Sequence, residues 1–475
     1  MLFFPRLFVL APQVIETFGT PPRTVTVPLF IWITRGEGYV QNCALNLFGL
    51  AKTTTLNTRV SALDMSEARV MEVLDGENET GLPLLVSKGV YAEASLDISA
   101  LRVPEGRTGL ARVTVDALVD GRCVRTRLRI PYRASRLPKE PGWYGGDCHT
   151  HSSWSPDVWL IPLSGRARYA WENGFGFLIM SDHSSGVSDW AGPDGYVAQC
   201  DRAQQETGIP ILPALEVEAR DGGHYLCYSL KPTSAQHPTD GQYPCRDLVK
   251  AVSRHDFPLS YGMIAHPFAA RSPWGDWSAY GFAGLELMNR QRTANRTTVQ
   301  AWFGLLRTNL PHTVATGEFV AAIGGSDSHN FMQPGSRGFT WAYIPDYSAP
   351  DRSKVWEAIR RGQTSVSGAK DLAYFTVDGQ MQGSVLRRGP GEPLQFHFRY
   401  LPVTGRRCTQ ITLMDKNLKK VFETVRPPGS ELRWTMPPSD RDPEDTFYVA
   451  AFTFREGKGD VSEVWTNPVF VSSRV

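Results

Sequence analysis

A chain of 475 residues, 41% of them hydrophobic, is too long for one ordinary core, so two or three domains are expected. Basic and acidic residues nearly cancel to a net charge of +2, which leaves no electrostatic footprint for a nucleic-acid duplex or an anionic membrane. No apolar run reaches transmembrane length, and seven cysteines without a CxxC point to reduced thiols in a cytoplasmic setting.

The opening MLFFPRLFVLAP is apolar but interrupted by Pro5, and reads as the start of a strand domain rather than a signal peptide. TVTVPLFIWIT and VTVDALVDGRCVRTRLRI continue it. In the latter, Val124, Thr126, Leu128 and Ile130 alternate with Arg125, Arg127 and Arg129, the period-two pattern of a half-buried strand. Asp120-Gly121 is a hairpin signal. Residues 1–135 are therefore expected to form a β-sandwich, with RASRLPKEPG as a linker.

Across residues 136–368 the pattern changes. FGFLIMSDH follows the helix-like SGRARYAWENG, and PILPALEVEA follows DGYVAQCDRAQQETG. YGMIAHP follows DLVKAVSRHD, and FVAAIGGSDSH follows TTVQAWFGLLRTN. Repeated alternation of strand and helix implies a parallel sheet or barrel. Over residues 369–475 the alternation stops, and LQFHFRY, QITLMD, FYVAAFTF and NPVFV suggest a second β-sandwich.

The histidines locate the chemistry. Of the 10, only His397 lies outside the middle segment, and most of the others follow the end of an expected strand. Strand ends of a parallel barrel converge on one mouth. Asp147, His149 and His151 sit two apart in GDCHTHSSWSPD, with Cys148 facing away. Beyond them come Asp182 and His183 in SDH, Glu216 and His224 in ALEVEARDGGH, His266 in AHP, and Asp327 and His329 in GSDSH. Imidazole with carboxylate in this number suits zinc, manganese or iron. Water held by such an ion loses its proton near neutral pH, which makes hydrolysis without a protein nucleophile the expected chemistry.

This order of motifs (HTHS, SDH, a lone Glu, AHP, GSDSH) resembles the PHP (polymerase and histidinol phosphatase) superfamily of metal-dependent hydrolases, over about half the chain. The resemblance implies a distorted (β/α)7 barrel with two or three metals, here flanked by the two β-sandwiches. It implies that His149, His151, Glu216 and Asp327 hold one metal, and that Glu216 bridges to a second held by His224 and His266. His183 and His329 would hold a third. The family often has HSxxSDG where this chain has HSSWSPDV, so the displaced Asp157 is the expected further ligand. The strand-rich flanks and the closing WTNPVFV also look like the carbaryl-hydrolase-like subgroup, which cleaves aryl carbamate esters.

Other residues have bland readings beside functional ones. Asp182 suits a group that orients a ligand. Glu218 shares a face with Glu216. Glu286 reads as structural, and His237, His255 and His312 as surface histidines. Arg271 and Arg337 are the expected clamps for a phosphate or carboxylate, while Arg290, Arg292 and Arg296 read as a solvated helix start. Trp154, Trp159, Trp190, Trp274 and Trp277 are either core or an aromatic wall for a flat substrate, Trp274 and Trp277 first. The expected activity is that of a phosphoesterase acting on a small phosphomonoester or nucleotide-like diester. A carbamate or carboxyl ester hydrolase is the alternative, and a non-catalytic metal-binding interaction protein is the third reading.

Overall fold

The computed structural model describes eight N-terminal strands and, from Arg122 on, residues 122–158, 161–189, 192–228, 238–253, 261–329, 332–347, 350–389, 391–440, 442, 444–457 and 459–473. The N-terminal strands are β1 (Leu7–Leu10), β2 (Ile15–Thr17), β3 (Thr24–Ile33), β4 (Gly38–Phe48), β5 (Val60–Asp64), β6 (Gly89–Asp97), β7 (Thr108–Val119) and β8 (Arg122–Ala134). They form two four-stranded sheets, β1-β3-β6-β5 and β2-β8-β7-β4. Strands β7 and β8 pair antiparallel with Val119 opposite Arg122, as a two-residue hairpin requires, although Asp120 and Gly121 lie outside the described residues. On β8, Arg125, Arg127 and Arg129 are exposed and Ile130 is buried, in keeping with the alternation.

The middle segment runs β9 (Trp143–Thr150), α1 (Leu163–Glu172), β10 (Phe177–His183), α2 (Ser184–Asp189), α3 (Gly192–Thr207), β11 (Ile211–Glu218) and β12 (His224–Tyr228). It continues with α4 (Cys245–Ser253), β13 (Tyr261–Ala265), β14 (Gly284–Asn289), α5 (Arg296–Thr308), α6 (Leu310–Thr316), β15 (Ala321–Gly325), β16 (Phe339–Tyr343), α7 (Arg352–Arg360) and β17 (Thr364–Ser367). The four expected helix-then-strand pairs all form.

The expected (β/α)7 barrel does not. The sheet is mixed and curls into a half-barrel that continues into the C-terminal strands, in the order β15-β14-β13-β12-β11-β10-β9-β16-β17-β26-β25-β22-β23. The reason is loop length. Only residues 219–223 separate β11 from β12, too few for a parallel crossover, so β12 turns back antiparallel to both β11 and β13. Gly223 makes that turn at φ 87°, and a Cβ there would sit 2.7 Å from the Trp274 Cα. Strand β16 returns antiparallel to β9, and β17 pairs antiparallel with both β16 and β26. At the opposite edge, the segment after β15 approaches β9: Asp327 N donates to His149 O at 2.7 Å, and His151 N to Ser328 O at 3.2 Å.

The C-terminal strands are β18 (Leu372–Val377), β19 (Gln380–Met381), β20 (Val385–Arg387), β21 (Leu394–Leu401), β22 (Arg407–Met414), β23 (Lys420–Val425), β24 (Glu431–Met436), β25 (Thr446–Glu456), β26 (Asp460–Thr466) and β27 (Val469–Ser472). The sheet β19-β18-β21-β24 shares a core with β22, β25, β26 and β27, filled by Phe375, Phe396, Phe398, Tyr448 and Phe452. Side chains alternate in and out along these strands, as a sandwich demands. Asn467, from the WTNP stretch, ties the two regions together: its side chain accepts from Ala322 N and donates to Ala322 O and Thr364 O.

Candidate metal centre

Strand β9 delivers the first donors. Its residues are buried almost throughout, with Cys148 in the core and His149 Nε2 beside His151 and Glu216. The ends of β10, β11, β12, β13 and β15 contribute His183, Glu216, His224, His266 and Asp327, with His151 and His329 just beyond strand ends. Convergence of strand ends is what sequence spacing anticipates, and it survives the change of sheet from parallel barrel to mixed half-barrel.

Three donor groups result: His149, His151, Glu216 and Asp327; Glu216, His224 and His266; and His151, His183 and His329. The first is fully buried. His149 Nε2 lies 3.0 Å from His151 Nε2 and 3.3 Å from Glu216 Oε2, and His151 Nε2 lies 3.1 Å from the same oxygen. Asp327 Oδ1 is 3.6 Å from His149 Nε2 and 3.2 Å from His151 Nε2. A tetrahedron with metal–ligand distances of about 2.0–2.1 Å has edges of about 3.3 Å, so these donors fit one small divalent cation. Glu216 turns its other oxygen to the second group, 2.8 Å from His224 Nδ1 and 3.0 Å from His266 Nε2. In the third, His329 Nε2 is 2.8 Å and His183 Nε2 3.7 Å from Asp157 Oδ2, with His151 completing the ring cluster.

The tautomers also fit a cation. His149 Nδ1 is held by Glu286 Oε1 at 3.1 Å, and His151 Nδ1 by Ser155 Oγ at 2.9 Å. Both rings thereby aim the Nε2 lone pair at the same point, an arrangement that repels unless a proton or metal lies between. His266 Nδ1 is buried without a hydrogen-bond partner among the described residues, and its backbone is left-handed at φ 25°, as is that of Asp327 at φ 48°. Such strain persists only where the surroundings over-determine it.

The protonation pattern of the cluster points the same way. Burial alone would lower His149, His151, His183 and His266. The surrounding carboxylates overcome it and raise all four, His183 to about 9. Burial would raise Glu216, Asp327 and Asp157, yet the imidazoles hold all three below the usual carboxylate range. Buried negative charge here demands compensating positive charge, which protons or metal ions can supply.

A brace of buried polar groups fixes these donors. Asp182 accepts from Ser152 N at 2.5 Å and from the hydroxyls of Ser152 and Ser155 at 2.8 Å, so it orients His151 through Ser155 and makes no contact with the donor point. Asp147 accepts from Ser326 N at 2.9 Å and Gly335 N at 2.6 Å, pinning the segment that carries Asp327 and His329. Burial, only partly offset by these bonds, raises its carboxyl. Buried Arg166 donates to His151 O at 2.9 Å and Ser328 O at 3.2 Å, joining the same two segments. Gly325 is required by close approach, since a Cβ there would lie 2.4 Å from His149 Cβ and 2.5 Å from Glu286 Oε1.

All nine expected metal-binding residues, Asp157 included, therefore meet in one place. Arg271 and Arg337 do not join them: both are exposed, and neither makes a hydrogen bond or ion pair with the cluster among the described residues. Glu218 is exposed and belongs to none of the three donor groups among the described residues, and its backbone N donates to Asp240. Trp154 and Trp274 are core residues; Trp277 stacks on half-exposed Phe268 at 5.2 Å, close in sequence to His266. Trp159, Trp190, His237 and His255 lie outside the described residues. His312 is a surface residue 3.7 Å from Glu318.

Sequence reasoning missed two groups. Glu286, read as structural, holds His149 and accepts from His266 N at 2.8 Å and Asn289 Nδ2 at 2.9 Å. Arg290, read as a solvated helix start, lies against Asp327 and His329. The spacing GLELMNR carried one usable signal, a charged residue on a buried strand that also ends at the mouth.

No family model matches the chain, and no curated protein matches it. Among solved structures, PsfC from Pseudomonas syringae PB-5123 is 19% identical over 48% of this chain and 92% of that one, at a TM-score of 0.36. The purple acid phosphatase PPD1 of yellow lupin (Lupinus luteus) is 7% identical, covering 98% and 74% at 0.22. The beta-glucuronidase 3 of Bacteroides uniformis is 10% identical, covering 99% of this chain and 64% of that one at 0.20. At these TM-scores the likenesses carry no argument about fold or function.

Proposed function

We propose that the protein is a metal-dependent hydrolase acting on a small phosphate ester. The observation that carries this reading is the shared donor point: two imidazole lone pairs 3.0 Å apart, closed by Glu216 and Asp327, with Glu216 offering its second oxygen to two further histidines. When bound, divalent ions supply Lewis acidity at an electrophilic oxygen and lower the pKa of coordinated water. The chain's own residues do the rest. Glu286 and Ser155 fix the ring orientations, the buried strand ends exclude bulk water, and Glu216 links the first two donor groups. His183, His329 and Asp157 stand at the rim, where substrate enters. The motif order supports a relation to the PHP superfamily through the site, not through the sheet.

A second reading, hydrolysis of an aryl carbamate or carboxyl ester, is favoured by the stacked Phe268–Trp277 pair, since an aromatic leaving group packs well on such a surface. The test is a parallel rate measurement. Manganese- or zinc-loaded protein meets an aryl phosphate monoester, an aryl phosphate diester and a naphthyl carbamate. Preference for either phosphate supports the first reading, and preference for the carbamate replaces it with the second. Hydrolysis of none by metal-loaded protein overturns both and favours a metal-binding interaction protein. Among the described residues no helix is long and apolar enough to cross a membrane.

A further inference from the structure

We propose that Arg290 is the substrate-binding residue for an anionic oxygen of the phosphoryl group, and that the C-terminal sandwich holds it in place. The inference rests on the hydrolase reading above and specifies its substrate as an anion.

Arg290 directly follows β14 and lies in the left-handed region at φ 53°, an uncommon conformation for a non-glycine residue. Its Nε lies 3.1 Å from Asp327 Oδ2, and its Nη2 lies 2.9 Å from Asp327 O and 2.7 Å from His329 Nδ1. The side chain is 47% exposed, and its Nη1 donors make no hydrogen bond among the described residues. One edge of the guanidinium is thus docked on two candidate metal ligands, and the half-exposed side chain leaves Nη1 available to a ligand. His329 Nδ1 also lies 2.9 Å from Asp327 O. A cation beside a metal centre is repelled by the metals, and an anionic substrate oxygen offsets that repulsion.

The neighbouring residues keep Arg290 from swinging away. Arg292 pairs with Asp460, Glu463 N donates to Arg292 O at 2.8 Å, and Ala294 N donates to Glu463 Oε2 at 3.1 Å. These contacts belong to β26 and its turn, so the C-terminal region fastens the loop that presents the guanidinium.

The test is calorimetric titration of inorganic phosphate onto metal-loaded full-length protein, with metal content measured on the same samples. Arg290→Gln should weaken phosphate binding by about 10- to 100-fold with metal content retained, and Arg290→Lys, with charge but no planar fork, should fall between. Phosphate affinity in either metal-replete variant within about twofold of wild type overturns the proposal, as does a wild type that binds no phosphate. If Arg290→Gln loses metal, the Arg290→Lys titration decides alone. In kinetics, Arg290→Gln should raise KM for the aryl phosphate monoester more than for the neutral carbamate, and equal effects overturn the assignment. A wild type that binds phosphate through Arg290 yet hydrolyses no ester leaves Arg290 as an anion-binding residue and removes both its substrate role and the hydrolase reading. The reverse result removes the inference alone.

Discussion

The inner donor group and the rim group use the same side chains in different surroundings. His149, His151 and Glu216 are sealed in the sheet, and each histidine has a buried partner fixing its ring. His183, His329 and Asp157 reach solvent, Asp157 with 48% of its side chain exposed, and Asp157 pairs directly with the histidines instead of supporting them from behind. Burial makes the inner donors costly without a cation and tight with one, while solvent competes at the rim. On the proposed reading, metal affinity would be built by the braces as much as by the donors themselves.

The largest effect should come from the inner group. His149→Ala or Asp327→Ala should strip the inner metal and reduce turnover by at least about 10³-fold, the scale of lost Lewis-acid stabilisation, with far-UV circular dichroism retained. Full turnover in either variant at saturating metal would break the assignment. Next comes the brace: Glu286→Gln keeps the shape but weakens the hold on His149, and should lower metal affinity about 10- to 100-fold in competition with a chelator. Asp157→Asn should cost no more than about tenfold in the same assay, because a half-exposed carboxylate is readily replaced by water. Equal losses for these two variants would erase the distinction between inner group and rim.

The smallest effect is on stability against pH. In chelated protein the raised histidines contribute stability that is full below their unfolded value, near 6.5, and is lost as pH rises through about 9 for His183. Glu216 and Asp327, held low, contribute stability that is lost only on acidification. Metal replaces the protons, so the Tm gap between loaded and chelated protein should widen from pH 6 to 9, by about 2–4 °C per kcal/mol. A gap that narrows with rising pH would contradict the shared-cation view.

The donors were legible because most lie at or near the ends of short apolar strands, and a residue two along shares the face. The braces were not, since the partner of Glu286 or Asp147 depends on which strands curl together. Arg290 was hidden for a related reason: a positive φ at a strand end has no signature in a non-glycine residue. The sheet was misread where the text did hold a clue. Five residues between Glu218 and His224 allow a hairpin and forbid a crossover helix. The pairing of β17 with β26 left no comparable trace, because an alternating strand does not name its neighbour.

The most direct test is anomalous scattering from crystals of the protein loaded with zinc or manganese. A strong peak is expected within coordination distance of His149 Nε2, His151 Nε2, Glu216 Oε2 and Asp327 Oδ1. Metal-replete crystals with no peak there, or with metal bound only at the rim, would contradict the shared-cation view.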